Sequence, residues 1–109
     1  MAFLSEPRAL TRLRRKLTVE NLWLYVIKVL SDENRPLRTY DILVKLRERF
    51  DINPPAITLY TVVYRMSRDG LLTRKSDEEG AYYTVTERGL DAFKRGIIFI
   101  EEVLSKLKL

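Results

Sequence analysis

The sequence predicts a mainly helical domain that contains one small β-hairpin. Three observations carry this prediction. Apolar residues recur at helical spacing over most of the 109 residues. Two short segments between residues 71 and 85 have the pattern of strands joined by a polar loop that contains Gly80. The chain has no repeat, low-complexity tract or long linker, so we expect one hydrophobic core.

The composition excludes several classes of function. The chain has neither Cys nor His, so disulfides, thiol chemistry and the commonest general base and metal ligand are missing. No paired carboxylates or Gly-rich phosphate loop replace them, and we expect no enzyme activity, cofactor or metal site. Gln is absent while Arg, Lys and Glu are abundant. This bias is typical of proteins from hot environments and suggests a thermophile.

The formal net charge of +5 suits a polyanionic partner. Nearly all of the positive excess lies in residues 1–17, where Glu6 is the only acid. No segment approaches the roughly 18 consecutive apolar residues of a membrane span, and the N-terminus lacks the apolar region of a signal peptide. We therefore expect a cytoplasmic protein with no membrane partner.

A short basic amphipathic helix is predicted within residues 1–17. Leu10, Leu13 and Leu17 recur at helical spacing, with basic residues between them. Two interpretations stay open. The segment is either a terminus held only by its leucines, or an arm that contacts nucleic acid through three arginines: Arg12, Arg14 and Arg15.

The next predicted helix follows Thr18, a good N-cap, and runs to about Ser31. Its apolar residues surround the helix instead of forming one stripe, so a single covering layer leaves large apolar groups in water. The helix needs two partners, which are its own core and either a second copy or the far end of the chain. We favour the second copy and place Trp23 and Ile27 at that interface.

Two further helices follow in close succession. A turn at Pro36 and a predicted N-cap at Thr39 precede a helix that ends near Phe50. Consecutive prolines then mark the start of a helix over residues 54–69, which Gly70 ends. This helix has an apolar side at Leu59, Val62, Val63 and Met66. Polar, aromatic and cationic residues occupy the opposite side: Thr58, Thr61, Tyr64, Arg65 and Arg68.

The hairpin and a long last helix complete the chain. The strands are predicted at Leu71–Lys75 and Ala81–Val85, and Thr86 is the predicted cap of the last helix. Six apolar residues of that helix are spaced alternately by three and four, as in a coiled-coil seam. We expect them to form a dimer interface: Leu90, Phe93, Ile97, Ile100, Leu104 and Leu107.

Three helices followed by a hairpin and a long helix are the element order of a winged helix-turn-helix. We divide the chain into a basic segment, residues 1–17, a DNA-binding winged helix, residues 18–85, and a dimerisation helix, residues 86–109. In a helix-turn-helix the second of the two helices that flank the turn lies in the major groove. One side of that helix packs on the core and the other side meets the bases. Residues 54–69 have this two-sided pattern, although any surface helix also has a polar face.

Residues 59–89, LYTVVYRMSRDGLLTRKSDEEGAYYTVTERG, resemble the PadR family of transcriptional regulators. The matching positions are Leu59, Tyr60, Gly70, Leu71, Tyr83, Thr86 and Gly89. With the element order, the resemblance extends over about residues 18–107. It implies a homodimeric DNA-binding repressor in which the first and last helices of the fold build the interface and Tyr60 contacts the DNA backbone.

The predicted wing departs from a phosphate-binding wing because its tip, residues 76–80, is acidic. We expect the tip to stay off the DNA, while Arg74 and Lys75 near its base contact the backbone. Some members of the family bind flat aromatic ligands at the dimer interface. Aromatic residues are present here, but they more simply fill the core and interface, so we assign no effector.

Two functions remain after these steps. The leading hypothesis is a homodimeric repressor that binds double-stranded DNA at an inverted repeat. The alternative is a winged helix that serves as a protein-interaction module in a larger transcription or replication assembly, which the acidic wing slightly favours.

Overall fold

The computed structural model describes residues 5–109. In this part of the chain the helices are α1 (Arg8–Leu17), α2 (Leu22–Glu33), α3 (Thr39–Phe50), α4 (Ala56–Arg68) and α5 (Glu87–Leu107). The strands are β1 (Leu72–Asp77) and β2 (Gly80–Val85), and a 3-10 turn, Val19–Asn21, joins α1 to α2. The predicted class, mainly helical with one hairpin, is confirmed.

Two predicted N-caps are wrong, by three residues at α2, where the N-cap is Asn21, and by one residue at α3. Thr18 does not cap α2, because its hydroxyl donates to the backbone carbonyl of Arg14, 2.6 Å away, and the chain passes through the 3-10 turn first. Thr39 is the first residue of α3, and the N-cap is Arg38. The backbone N–H of Arg38 donates to the carboxylate of Asp41 at 3.1 Å, which anchors this helix end.

The predicted boundaries around the wing are confirmed at two points. Gly70 follows α4 with a φ of +79°, and the N–H of Leu71 donates to the carbonyl of Met66 at 2.9 Å, the pattern of a Schellman C-cap. Thr86 caps α5 by accepting the N–H of Gly89 at 3.0 Å, while its own hydroxyl donates to the carbonyl of Gly70 at 2.6 Å. Thr86 therefore ties the start of α5 to the end of α4.

The hairpin is longer and its loop shorter than predicted. The antiparallel register runs from Leu72 opposite Val85 to Asp77 opposite Gly80, so only residues 78 and 79 form the loop. Ser76 and Asp77, which we predicted in the tip, belong to β1. The outer half of β1 is exposed, so it lacks the apolar pattern that marks a strand in the sequence. Residue 37 adds an isolated bridge to β2.

The hydrophobic core lies between α2, α3, α4 and the hairpin. Helix α2 contacts each of these elements as well as α5, which explains why its apolar residues surround it. Ile27 is 0% exposed within the subunit. Its predicted place in a dimer interface is therefore wrong, because it has no surface left to bury against a partner.

Helix α5 extends beyond this core. The Cα radius of gyration is 15.7 Å, compared with roughly 13 Å for a compact chain of this length. All residues from 101 to 109 are exposed, and Leu104 and Leu107 are 55% and 72% exposed. No helix among residues 5–109 is long and apolar enough to cross a membrane.

Candidate nucleic-acid interface

Helix α4 has one side in the core and the other in solvent. Leu59, Val63 and Met66 are buried. At about 100° per residue, the opposite side carries Ile57, Thr61, Tyr64 and Arg68, all of which are exposed. The two-sided pattern predicted for this helix is confirmed, and the outward side is free to meet a ligand along its whole length.

A groove of about 940 Å³ lies between this outward side, the start of α3 and the wing, and it reaches Glu79 in the wing loop. Its acidic lining residues are Asp69 and Glu79. Four arginines and four tyrosines also line it: Arg38, Arg65, Arg68, Arg74, Tyr40, Tyr60, Tyr64 and Tyr83. The groove is therefore mainly cationic and aromatic.

The structure brings together six of the eleven residues predicted to bind DNA: Tyr60, Thr61, Tyr64, Arg65, Arg68 and Arg74. Thr58 is half-buried and does not line the groove. Lys75 follows Arg74 on an exposed strand, where successive side chains point to opposite faces, and it does not line the groove either. The three arginines of α1 lie outside it.

Arg65 and Arg68 make no ion pair with any residue from 5 to 109. The Cζ of Arg68 lies 6.0 Å from the ring centroid of Tyr64, so the ring supports this guanidinium without neutralising it. A guanidinium presents several N–H donors in a fixed plane. Both side chains are thus available to donate hydrogen bonds to acceptors such as phosphate oxygens or the O6 and N7 atoms of guanine.

Arg38 lines the groove, although the sequence did not single it out. Its Nη2 lies 2.6 Å from Oδ2 of Asp77, and its Nη1 donates to the carbonyl of Gly80 at 3.0 Å. A carboxylate oxygen of Glu79 is 3.6 Å away. These contacts fasten the wing to the N-terminus of α3. No local pattern links residues 38 and 77, so the sequence carried no signal for this pair.

The same contacts change the electrostatics of the acidic wing. The hydrogen bond and charge of Arg38 hold the pKa of Asp77 below its ordinary value, and Asp77 in turn raises the pKa of the guanidinium. The carboxylate is thus ionised at neutral pH and the pair is intact. Because the folded-state pKa is lowered, the contribution of this pair is present above the ordinary carboxyl range and disappears as the pH falls through the folded-state pKa.

A family model described as the PadR-like family of transcriptional regulators matches residues 26–95. The chain belongs to this family. PadR-like proteins are transcriptional regulators and not enzymes, which agrees with the composition. No curated protein sequence matches the chain.

Solved structures support the winged-helix fold of this PadR-like chain. A transcriptional regulator from Clostridium thermocellum is 21% identical, with a TM-score of 0.68 over 81% of this chain and 93% of that one. A PadR family regulator from Eggerthella lenta is 26% identical, with a TM-score of 0.61 over 92% of both chains. F93 from STIV, a winged-helix DNA-binding protein, is 22% identical, with a TM-score of 0.66 over 74% of this chain and 88% of that one.

Helix α1 lies outside the residues that the PadR-like model matches. All ten of its residues are exposed, including its three leucines. Glu6 pairs with Arg14 at 3.0 Å, and a carboxylate oxygen of Glu20 lies 3.7 Å from Arg15. Arg12 makes no ion pair among residues 5–109. Of the three arginines predicted to contact nucleic acid, Arg12 is therefore the one most available to phosphate.

Proposed function

We propose that this PadR-like chain binds double-stranded DNA in a sequence-specific way and represses transcription. The observation that carries the proposal is the pair of exposed, unpaired guanidinium groups of Arg65 and Arg68 on the outward side of α4. The opposite side of the helix is anchored in the core, as a helix inserted into the major groove requires. The phosphate backbone then supplies most of the affinity, and contacts to base edges supply the specificity.

The remaining contacts position the duplex. Tyr60 and Arg74 border the groove and contact the backbone, and Arg12, Arg14, Arg15 and Lys75 add weaker contacts outside it. Glu79 of the tip lines the groove, but its carboxylate lies 3.6 Å from Arg38, and we place the phosphates beside α4 and Arg74 so that the acidic tip stays off the DNA. The ion pair between Arg38 and Asp77 supports this arrangement, because it neutralises one acid and fixes the wing beside α3.

The functional unit in this proposal is a homodimer. Residues 18–85 form the DNA-binding part, and α5 packs against its copy in the partner through Leu90, Phe93, Ile97, Ile100, Leu104 and Leu107, with Trp23 beside them. The exposed apolar end of α5 at Leu104 and Leu107 supports this assignment, since a protruding apolar helix is poorly covered within one subunit. Leu90 and Phe93 also pack partly against the subunit's own core. A two-fold dimer places its α4 helices ~34 Å apart on an inverted repeat.

Replacing Leu104 with Glu is expected to convert the dimer into a monomer of 12.9 kDa. The new carboxylate lies in the proposed seam and loses hydration on burial, whereas it stays in water in the separate subunit. Light scattering gives the mass, and Ser105→Glu is the matched control because it adds the same charge one residue away, outside the seam. Identical masses for the two variants contradict the proposed interface.

The proposed function is tested by selecting duplexes from a random pool with the purified protein. We expect an inverted repeat whose half-sites are about one helical turn apart, and affinity that falls steeply with salt because phosphate contacts release counterions. Selected sequences without two-fold symmetry contradict the dimer. A pool that shows no enrichment contradicts sequence-specific binding.

A protein-interaction module is the second candidate, favoured by the exposed acids Glu78 and Glu79 at the wing tip. A winged helix of this kind binds a basic surface of another protein through its tip. In that case the selection returns no common sequence, and Glu78→Lys with Glu79→Lys abolishes partner binding while DNA affinity rises.

A further inference from the structure

Ile57 is a large apolar residue at a position where a water-soluble helix has no structural use for one. It lies in the first turn of α4, is 76% exposed, and does not belong to the core or to the residues packed against it. Isolated exposed aliphatic residues are common on proteins. The position of Ile57 indicates a function, since the first turn of a helix in the major groove is the part that meets base edges.

The neighbour of Ile57 on the outward side is Thr61. Its hydroxyl donates to the carbonyl of Ile57 at 3.0 Å, so its proton is used within the helix. Thr61 therefore offers a methyl group and a lone pair, but no free donor. Ile57 and Thr61 are separated by four residues and lie next to each other on the helix surface. Ile57 and Thr61 thus give the N-terminal part of the outward side a surface without free donors, and the exposed donors of Tyr64, Arg65 and Arg68 follow it.

Among the four bases, thymine alone presents an apolar group in the major groove, its C5 methyl. We propose that Ile57 is a specificity-determining residue that contacts a thymine methyl in each half-site, with the Thr61 methyl beside it. This inference rests on the proposed DNA binding and names a base that α4 selects. Burial of one methyl group corresponds to about a fourfold preference for thymine over a base that lacks it.

The test uses the selected duplex and replaces each thymine in turn by deoxyuridine, which differs only by the missing methyl. Fluorescence anisotropy gives the affinity of the wild type, Ile57→Ala and Ile57→Val for each duplex. We expect one thymine per half-site at which deoxyuridine weakens the wild type about fourfold and leaves Ile57→Ala unchanged. Ile57→Val keeps two methyl groups and retains most of the preference.

The double-mutant design separates recognition from folding, because an unfolded variant loses affinity for every duplex and not for one position. If deoxyuridine lowers the affinity of the wild type and of Ile57→Ala equally at every thymine, the proposed role of Ile57 is wrong. The proposed function is then unaffected, because a specific sequence was still selected. A selected site that has no thymine also overturns it. Failure to select any sequence overturns both proposals.

Discussion

Replacing Gly89 with Ala is expected to destabilise the chain by about 3 kcal/mol. Gly89 is buried in the first turn of α5. A Cβ at this position would lie 2.2 Å from the carbonyl oxygen of Leu71 and 3.1 Å from Cγ2 of Val85. That carbonyl accepts the N–H of Thr86. The clash is with hydrogen-bonded backbone, so the start of α5 must move away from the wing.

The matched control is Gly96→Ala in the same helix. Its Cβ would meet side-chain atoms of Leu24 and Trp23 at 3.2 Å, which can shift, and alanine gains up to about 1 kcal/mol of helix propensity. We expect a change within about 1 kcal/mol. Urea unfolding followed by circular dichroism measures both variants, and equal losses of stability contradict the backbone clash at Gly89.

The element order and the two sides of α4 were predictable from the sequence because helical periodicity is a local property. The spacing of Leu59, Val63 and Met66 determines which side is buried, and the groove residues on the other side follow from it. The end of α4 and the cap of α5 were also predictable, since Gly70 and Thr86 act through atoms only a few residues away.

The features that the sequence did not reveal depend on contacts between distant residues. Arg38 and Asp77 are 39 residues apart in the sequence, and their pairing follows only from the packing of the wing on α3. The burial of Ile27 similarly depends on how many elements surround α2. The length of the hairpin was underestimated because the outer half of β1 is polar and exposed to solvent. The periodicity of the sequence cannot distinguish such a segment from a loop.

Removing both guanidinium groups with Arg65→Ala and Arg68→Ala is expected to weaken binding to the selected duplex by at least about 30-fold. Each good bidentate contact to a base contributes about 1–3 kcal/mol of discrimination, and these two arginines line the groove without an ion pair to any residue from 5 to 109. Both side chains are exposed, so the variant keeps its fold. On an unrelated duplex the expected loss is only several-fold, since backbone contacts remain.

The most direct measurement is an anisotropy titration of the selected duplex with this double variant and with a control of the same net charge, Lys94→Ala with Arg95→Ala. The control residues are exposed on α5, away from the groove. We expect a loss of at least about 30-fold for the α4 variant and of less than about threefold for the control. Equal affinities for the two variants contradict the claim that the outward side of α4 binds DNA.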